Sequence, residues 1–198
     1  KEKVVEVTKE VEKVVEKEVI VEVTPVPMAG EEKVTLNYNL ATEPPNLDPA
    51  VAEDSTSINC VENLFLRLTH MDPETVEVVP ELAKEWETSE DGLIWTFHMR
   101  DDARWVQYNV SDATVQDLGP VTAHDVVYGT KRTLNPQTAS SYAFTLYVVK
   151  GGKDFNTADP SALSDEEFAA LEEAVGIRAL DDYTVEVTLE HPAGYFGA

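Results

Sequence analysis

One stretch constrains this chain more than any other, Val79 to Val127. Asp91-Gly92 is a turn dipeptide, and the L-I-W-T-F-H-M-R that follows alternates apolar and polar residues. A D-G pair before a period-two run predicts a hairpin strand with one buried face. Trp86, Trp95 and Trp105 sit on elements whose pattern points them inward, so core packing is expected for all three. Glu81 to Trp86 reads as one or two helical turns. The polar run 106–119 reads as an irregular surface excursion. Beyond it, Thr122 precedes A-H-D-V-V-Y-G-T-K-R-T-L. This is a helix with Thr122 as N-cap and Asp125 at its third position, a capping-box arrangement.

Other segments are assigned by the same rules. V-T-L-N-Y-N-L, from Val34, alternates as a strand. Pro44, Pro45 and Pro49 make T-E-P-P-N-L-D-P a rigid turn. Ser55 or Ser57 is expected to cap a helix reaching about Leu68, with Ile58, Val61, Leu64, Phe65 and Leu68 on one face. T-V-E-V-V-P is a short strand. N-P-Q-T-A-S-S at 135–141 ends the Thr122 helix, and Ser164 caps an acidic one. R-A-L-D-D-Y-T-V-E-V-T-L-E is a hairpin. Residues 1–24 are almost entirely Val, Glu, Lys and Thr in an imperfect ten-residue repeat. They read as a solvated stalk rather than a stable coiled coil, because Val is a poor helix former and nothing covers the stripe. T-P-V-P-M-A-G then marks a boundary that sets 1–30 apart from a globular part starting near Glu31.

Charge removes several function classes. There are 15 Lys+Arg against 38 Asp+Glu, a net charge of -23. Such a chain repels phosphate backbones and anionic lipid, so no nucleic acid is expected as partner. The single cysteine, Cys60, excludes a disulfide scaffold and a multi-thiolate zinc site, and a buried core thiol is its expected state. No apolar run approaches the ~20 residues of a membrane span.

No catalytic constellation is legible. His70, His98, His124 and His191 lack helix-type metal spacing to each other or to Cys60, so no metal is expected. His98 belongs on the solvated face of its strand, opposite Phe97 and Met99. His124 and Asp125 are adjacent on a helix and point apart. D-x-N at 154–156 with Asp159 lacks the spacing and glycine of a calcium loop. With no nucleophile–base pair, neither an enzyme nor a cofactor is expected. Tyr142 stands apart, an aromatic with a phenol handle in a polar connection. It suits a ligand contact, although the local sequence by itself favours core packing.

Taken together, L-A-x-x-W, D-G before the strand, F-x-x-R-D-D-A-x-W and P-V-T-A-x-D-V resemble extracytoplasmic solute-binding proteins. These serve the oligopeptide, dipeptide and nickel ABC transporters. N-L-D-P at 46–49, L-F-L-R-L, N-P-Q-T-A-S-S-Y-A and the hairpin running on to H-P-A-G-Y-F extend the resemblance over about Val34 to Phe196. N-P-Q-T-A-S-S-Y-A is similar to the peptide-binding branch. At 106–119 that family usually has only a short D-G turn.

The resemblance implies an α/β fold, α+β in the part covered. It is a two-lobed clamp of which part of lobe one (31–60) and the extra domain (61–198) are present. On this reading the chain is a fragment of a longer binder, and the second lobe lies beyond Ala198. The implied function is capture of extracellular oligopeptides and delivery to ABC permease subunits. Alternatives are a nickel, haem or sugar binder, or an adhesion module displayed on a stalk. Implied ligand-binding residues are Glu53, Asp54 and Ser55, pairing through their backbone, and Tyr142. A periplasmic or cell-surface location, tethered through an upstream lipid anchor, is also implied.

Overall fold

The computed structural model describes residues 38–40 and 42–197. The expected stalk, and most of the strand expected from Val34, lie outside the described residues. Residues 39 onward form one compact unit. Its first helix, α1, spans Ser55–Leu64. Two short strands, β1 (Thr69–Met71) and β2 (Val78–Pro80), pair antiparallel around the M-D-P-E-T turn.

The centre is a four-stranded antiparallel sheet. It contains β3 (Ala83–Thr88), β4 (Ile94–Met99), β7 (Ile177–Asp181) and β8 (Thr184–Thr188), in the order β3-β4-β8-β7. Alternation decides its faces. Trp95, Phe97 and Met99 of β4 are buried, and Val185 and Val187 lie beside them on β8. His98 points the other way, with Nε2 3.9 Å from Glu87. Trp95, Phe97 and Phe196 form an aromatic cluster, with ring centroids 5.6 Å apart for Trp95 and Phe196.

Three helices complete the core. They are α2 (Ala123–Leu134), α3 (Gly152–Asn156) and α4 (Asp165–Glu173), with α2 against β7 and β8. Their starts follow the sequence. Thr122 and Asp125 form the expected capping box, as do Ser164 and Glu167. Between α4 and β7 the backbone at Gly176 passes close to β8. A Cβ on Gly176 would lie 2.7 Å from the Thr188 carbonyl oxygen, so only glycine fits.

Several expectations need correction. Residues 81–86 are not helical, because β3 occupies Ala83–Thr88. A turn of helix makes few hydrogen bonds, whereas folding back at Asp91-Gly92 lets this segment pair along β4. Residues 106–119 are not irregular. They belong to a hairpin, β5 (Arg104–Asn109) and β6 (Thr114–Pro120), with a bulge at Trp105/Val106. Its side chains are nearly all exposed, Trp105 included, so that tryptophan is no core residue. It meets Phe65 edge-on instead, centroids 6.3 Å apart. On α1 the N-cap is Asp54, neither Ser55 nor Ser57, and the helix stops at Leu64. Its buried residue is Ser57, while Ile58 and Leu64 are exposed and Cys60 is half-buried rather than buried. Polar contacts rather than an apolar face seat this helix. Thr56 meets Thr42 at 2.9 Å, and the Asn46 N–H donates to Ser57 Oγ at 3.4 Å.

Candidate functional site

The implied site residues come from two distant segments. The first begins at Asp48. Its carboxylate accepts the Ala50 N–H at 3.0 Å, and its carbonyl accepts those of Val51 and Ala52 at 3.1 and 3.0 Å. This tight turn delivers Glu53, Asp54 and Ser55 to the start of α1. Asp54 Oδ1 accepts the N–H groups of Thr56 and Ser57, both at 3.0 Å. Hydrogen bonding from Ser57, first through its side chain and then its backbone, holds the Asp54 carboxyl below the usual range. Its side chain is thus committed to the helix end. The backbone beside it is not. Among the described residues no hydrogen bond uses the N–H or carbonyl of Glu53, or the N–H of Asp54 or Ser55.

The second segment follows α2. Asn135 ends that helix, and its side chain accepts the Gln137 N–H at 2.8 Å to start a 3-10 turn, Pro136–Thr138. Ala139 then takes a left-handed conformation, φ 54°, which a residue with a Cβ adopts at some cost. That turn aims Ser140, Ser141 and Tyr142. Ala143 begins a second 3-10 turn, Ala143–Leu146, and is buried, while Tyr142 is 47% exposed. Among the described residues Tyr142 thus lies outside the buried core. Its ring lies 6.3 Å from that of Phe144, itself exposed. Phe144, Tyr147, His191 and Tyr195 line an open groove of about 630 Å³.

The structure brings the two segments together. Ser141 Oγ donates to Glu53 Oε1, placing the Glu53–Ser55 strip beside the residue before Tyr142. Asp48 pairs with Arg132 of α2, with Nη1 to Oδ1 at 2.7 Å and Nη2 to Oδ2 as a second bond. The Arg132 hydrogen bond depresses the Asp48 pKa from its ordinary 3.8, against a smaller opposing effect of burial. A depressed carboxylate pKa means that the pair is complete at neutral pH. It is lost as the pH falls below 3.8 through the folded-state value. Ser141, Asp48 and Arg132 were not singled out in the sequence. The signal for Ser141 was its place before Tyr142, and for Asp48 its place in N-L-D-P. Arg132 carried none.

Among the described residues no cluster of three His, Cys, Asp or Glu side chains is suited to a metal. The D-x-N at 154–156 is taken into α3 and its end. Among the described residues, backbone donors and an acceptor of 53–55 without hydrogen-bond partners thus lie next to the segment that carries the half-exposed Tyr142. That chemistry suits recognition of an extended main chain.

Residues 77–198 match the bacterial extracellular solute-binding proteins, family 5, middle region. The chain belongs to this family. Over 164 residues it is 36% identical to the oligopeptide-binding protein OppA of Bacillus subtilis, covering 83% of this chain and 26% of that protein. It is 38% identical to the periplasmic oligopeptide-binding protein OppA of Salmonella typhimurium, covering 83% and 27% respectively. Among solved structures, an oligopeptide ABC transporter substrate-binding domain from Bacillus anthracis superposes with TM-score 0.63 at 31% identity. That match covers 78% of this chain and 26% of the other. Haemophilus influenzae OppA in complex with RPPGFSPFR gives TM-score 0.61 at 30% identity, covering 79% and 27%. The fold is thus that of the periplasmic-binding-protein-like solute-binding proteins, in part. The chain spans about a quarter of the length of the curated relatives it matches.

Proposed function

We propose that this chain is part of the substrate-binding component of an ABC importer, one that captures oligopeptides outside the cytoplasm and hands them to a membrane permease. The observation that carries this reading is the Ser141–Glu53 hydrogen bond. It ties Glu53 to the residue before Tyr142, and the main-chain groups of 53–55 that have no hydrogen-bond partner among the described residues suit a peptide backbone, which such groups match without regard to side chain. Residues 31–60 would supply the ligand-facing edge of one lobe, and 61–198 the extra domain. The Val/Glu/Lys stretch would tether the binder to the cell surface.

Ser55 provides a clean test. It is the first residue of α1, where proline is well tolerated because that N–H has no helical partner. Asp54 already has the extended backbone, φ -93° and ψ 155°, that a following proline requires. Ser55→Pro therefore removes one backbone donor and leaves the helix start in place. Isothermal titration of the full-length gene product with peptide mixtures is expected to give binding. Ser55→Pro is expected to weaken it more than Ser55→Ala does. Saturable binding of nickel, haem or a sugar with none of peptide overturns the proposal.

A further inference from the structure

For one extended peptide to meet both segments, the 53–55 strip and Tyr142 must stand at a fixed separation. Each segment is tied to the last turn of α2. On the strip's side, the Arg132 guanidinium grips both oxygens of Asp48. The same Asp48 closes the turn 48–52 through Ala50, Val51 and Ala52, so the grip orients the whole turn that feeds Glu53. On the Tyr142 side, the Leu134 carbonyl accepts Asn156 Nδ2 at 2.8 Å, and Asn156 Oδ1 accepts the Tyr147 hydroxyl at 2.6 Å. Tyr147 closes the short 3-10 turn that Tyr142 opens. Leu134 is itself fully buried, which makes this helix end a fixed reference.

We propose that Arg132 is a positioning residue of the peptide site, one that aligns the Glu53–Ser55 strip with Tyr142 by holding Asp48. The inference rests on the peptide-binding reading. Its physical basis is the fork geometry of the contact. A two-point guanidinium–carboxylate bond fixes direction as well as distance, which a lysine ammonium does not. The side chains are 34% and 32% exposed, so solvent screening limits what the pair adds to folding stability. Alignment rather than stability is what such a contact supplies, and a binding site loosened by a fraction of an ångström loses affinity without unfolding.

The test uses the full-length gene product carrying Arg132→Ala or Arg132→Lys, each alone and combined with Tyr142→Ala. Three quantities are measured. These are affinity for one peptide that the parent binds, the urea unfolding midpoint, and amide hydrogen exchange of residues 48–57. Arg132→Ala is expected to weaken binding about tenfold and Arg132→Lys about threefold, with midpoints nearly unmoved. Exchange in 48–57 is expected to rise in Arg132→Ala. In the Tyr142→Ala background the further loss is expected to shrink to less than about twofold, because there is no ring left to align with. A merely structural role gives equal losses in both backgrounds and a lower midpoint, and that result overturns the inference. So does Arg132→Ala with parental affinity or unchanged exchange while the parent binds peptide, an outcome that leaves the peptide reading standing. A parent that binds no peptide sinks the peptide reading, and the inference with it.

Discussion

Two hairpins in this molecule are built from similar residues and meet opposite environments. β3–β4 carries Trp86, Trp95 and Phe97, and β5–β6 carries Trp105, Tyr108, Val110 and Val115. In the first, Phe97 is 2% exposed, whereas in the second Val110 is 83% exposed. The difference lies in what stands on either side. β4 has a strand on each edge and an apolar layer over one face. Among the described residues β5 pairs only with β6; Arg104 bridges the two strands to Asp117 at 2.9 Å, and Trp105 rests against Phe65. Strand formation thus needs only backbone pairing and tolerable side chains, whereas burial needs a second layer.

The sharpest test of that contrast is Phe97→Ala. Removing a fully covered ring that touches Trp86, Trp95 and Phe196 leaves a cavity. A loss of about 3–5 kcal/mol is expected from urea unfolding. A loss under ~1 kcal/mol would put this sheet on the same footing as the exposed ribbon. Gly176→Ala comes next. Its Cβ would press on the Thr188 carbonyl oxygen at 2.7 Å and on Lys150 Cβ at 2.9 Å, where α4 hands over to β7. Backbone on one side cannot swing away, so destabilisation of roughly 1–3 kcal/mol is expected. A variant as stable as the parent would show that this junction has slack.

These residues also mark what the sequence made legible. Alternation identified β4 and β8, and caps identified α2 and α4, because those signals are local and agree with the tertiary environment. β3 was missed because its period is broken by the bulge at Ala83/Glu85, which mimics a helical spacing. The β5–β6 ribbon was missed because polar positions on both faces hide the period. α1 misled for the opposite reason. Its apolar residues have helical spacing, yet its buried residue is Ser57, and Thr56 and Ser57 carry its hydrogen bonds to Thr42 and Asn46. Of the candidate site, the motif offered Tyr142 as a candidate, but not the Ser141–Glu53 and Arg132–Asp48 contacts, because these join residues far apart in the chain.

Tyr142 sharpens the comparison from another side, as an exposed aromatic with a proposed use. In the full-length gene product, Tyr142→Ala is expected to weaken peptide binding by roughly 5- to 150-fold, or about 1–3 kcal/mol. Little apolar surface is uncovered by the change, so the unfolding midpoint is expected to hardly move. Titration calorimetry and urea unfolding on the same preparation separate the two effects. Parental affinity with a sharply lowered midpoint would make Tyr142 a packing residue and remove it from the site.

The smallest effect is expected from the largest edit, replacement of 106–119 by a short D-G turn. By size alone, deletion of most of two strands looks severe. The side chains removed are exposed, however, and the apolar ones among them, Val106, Tyr108, Val110, Val115 and Leu118, lie 55–83% open. Little burial is therefore forfeited, and the closure entropy of a shorter loop slightly favours the folded state. Trp105 and Phe65 remain, so the contact at the ribbon's base is kept. Arg104 loses Asp117, but an ion pair with side chains 45% and 56% exposed is screened by solvent and contributes little. The expected change in the urea midpoint is thus within about 1 kcal/mol, with the circular dichroism of the remaining sheet and helices preserved. A drop approaching that of Phe97→Ala would mean that the ribbon helps to hold the core, and the contrast between the two hairpins would then fail.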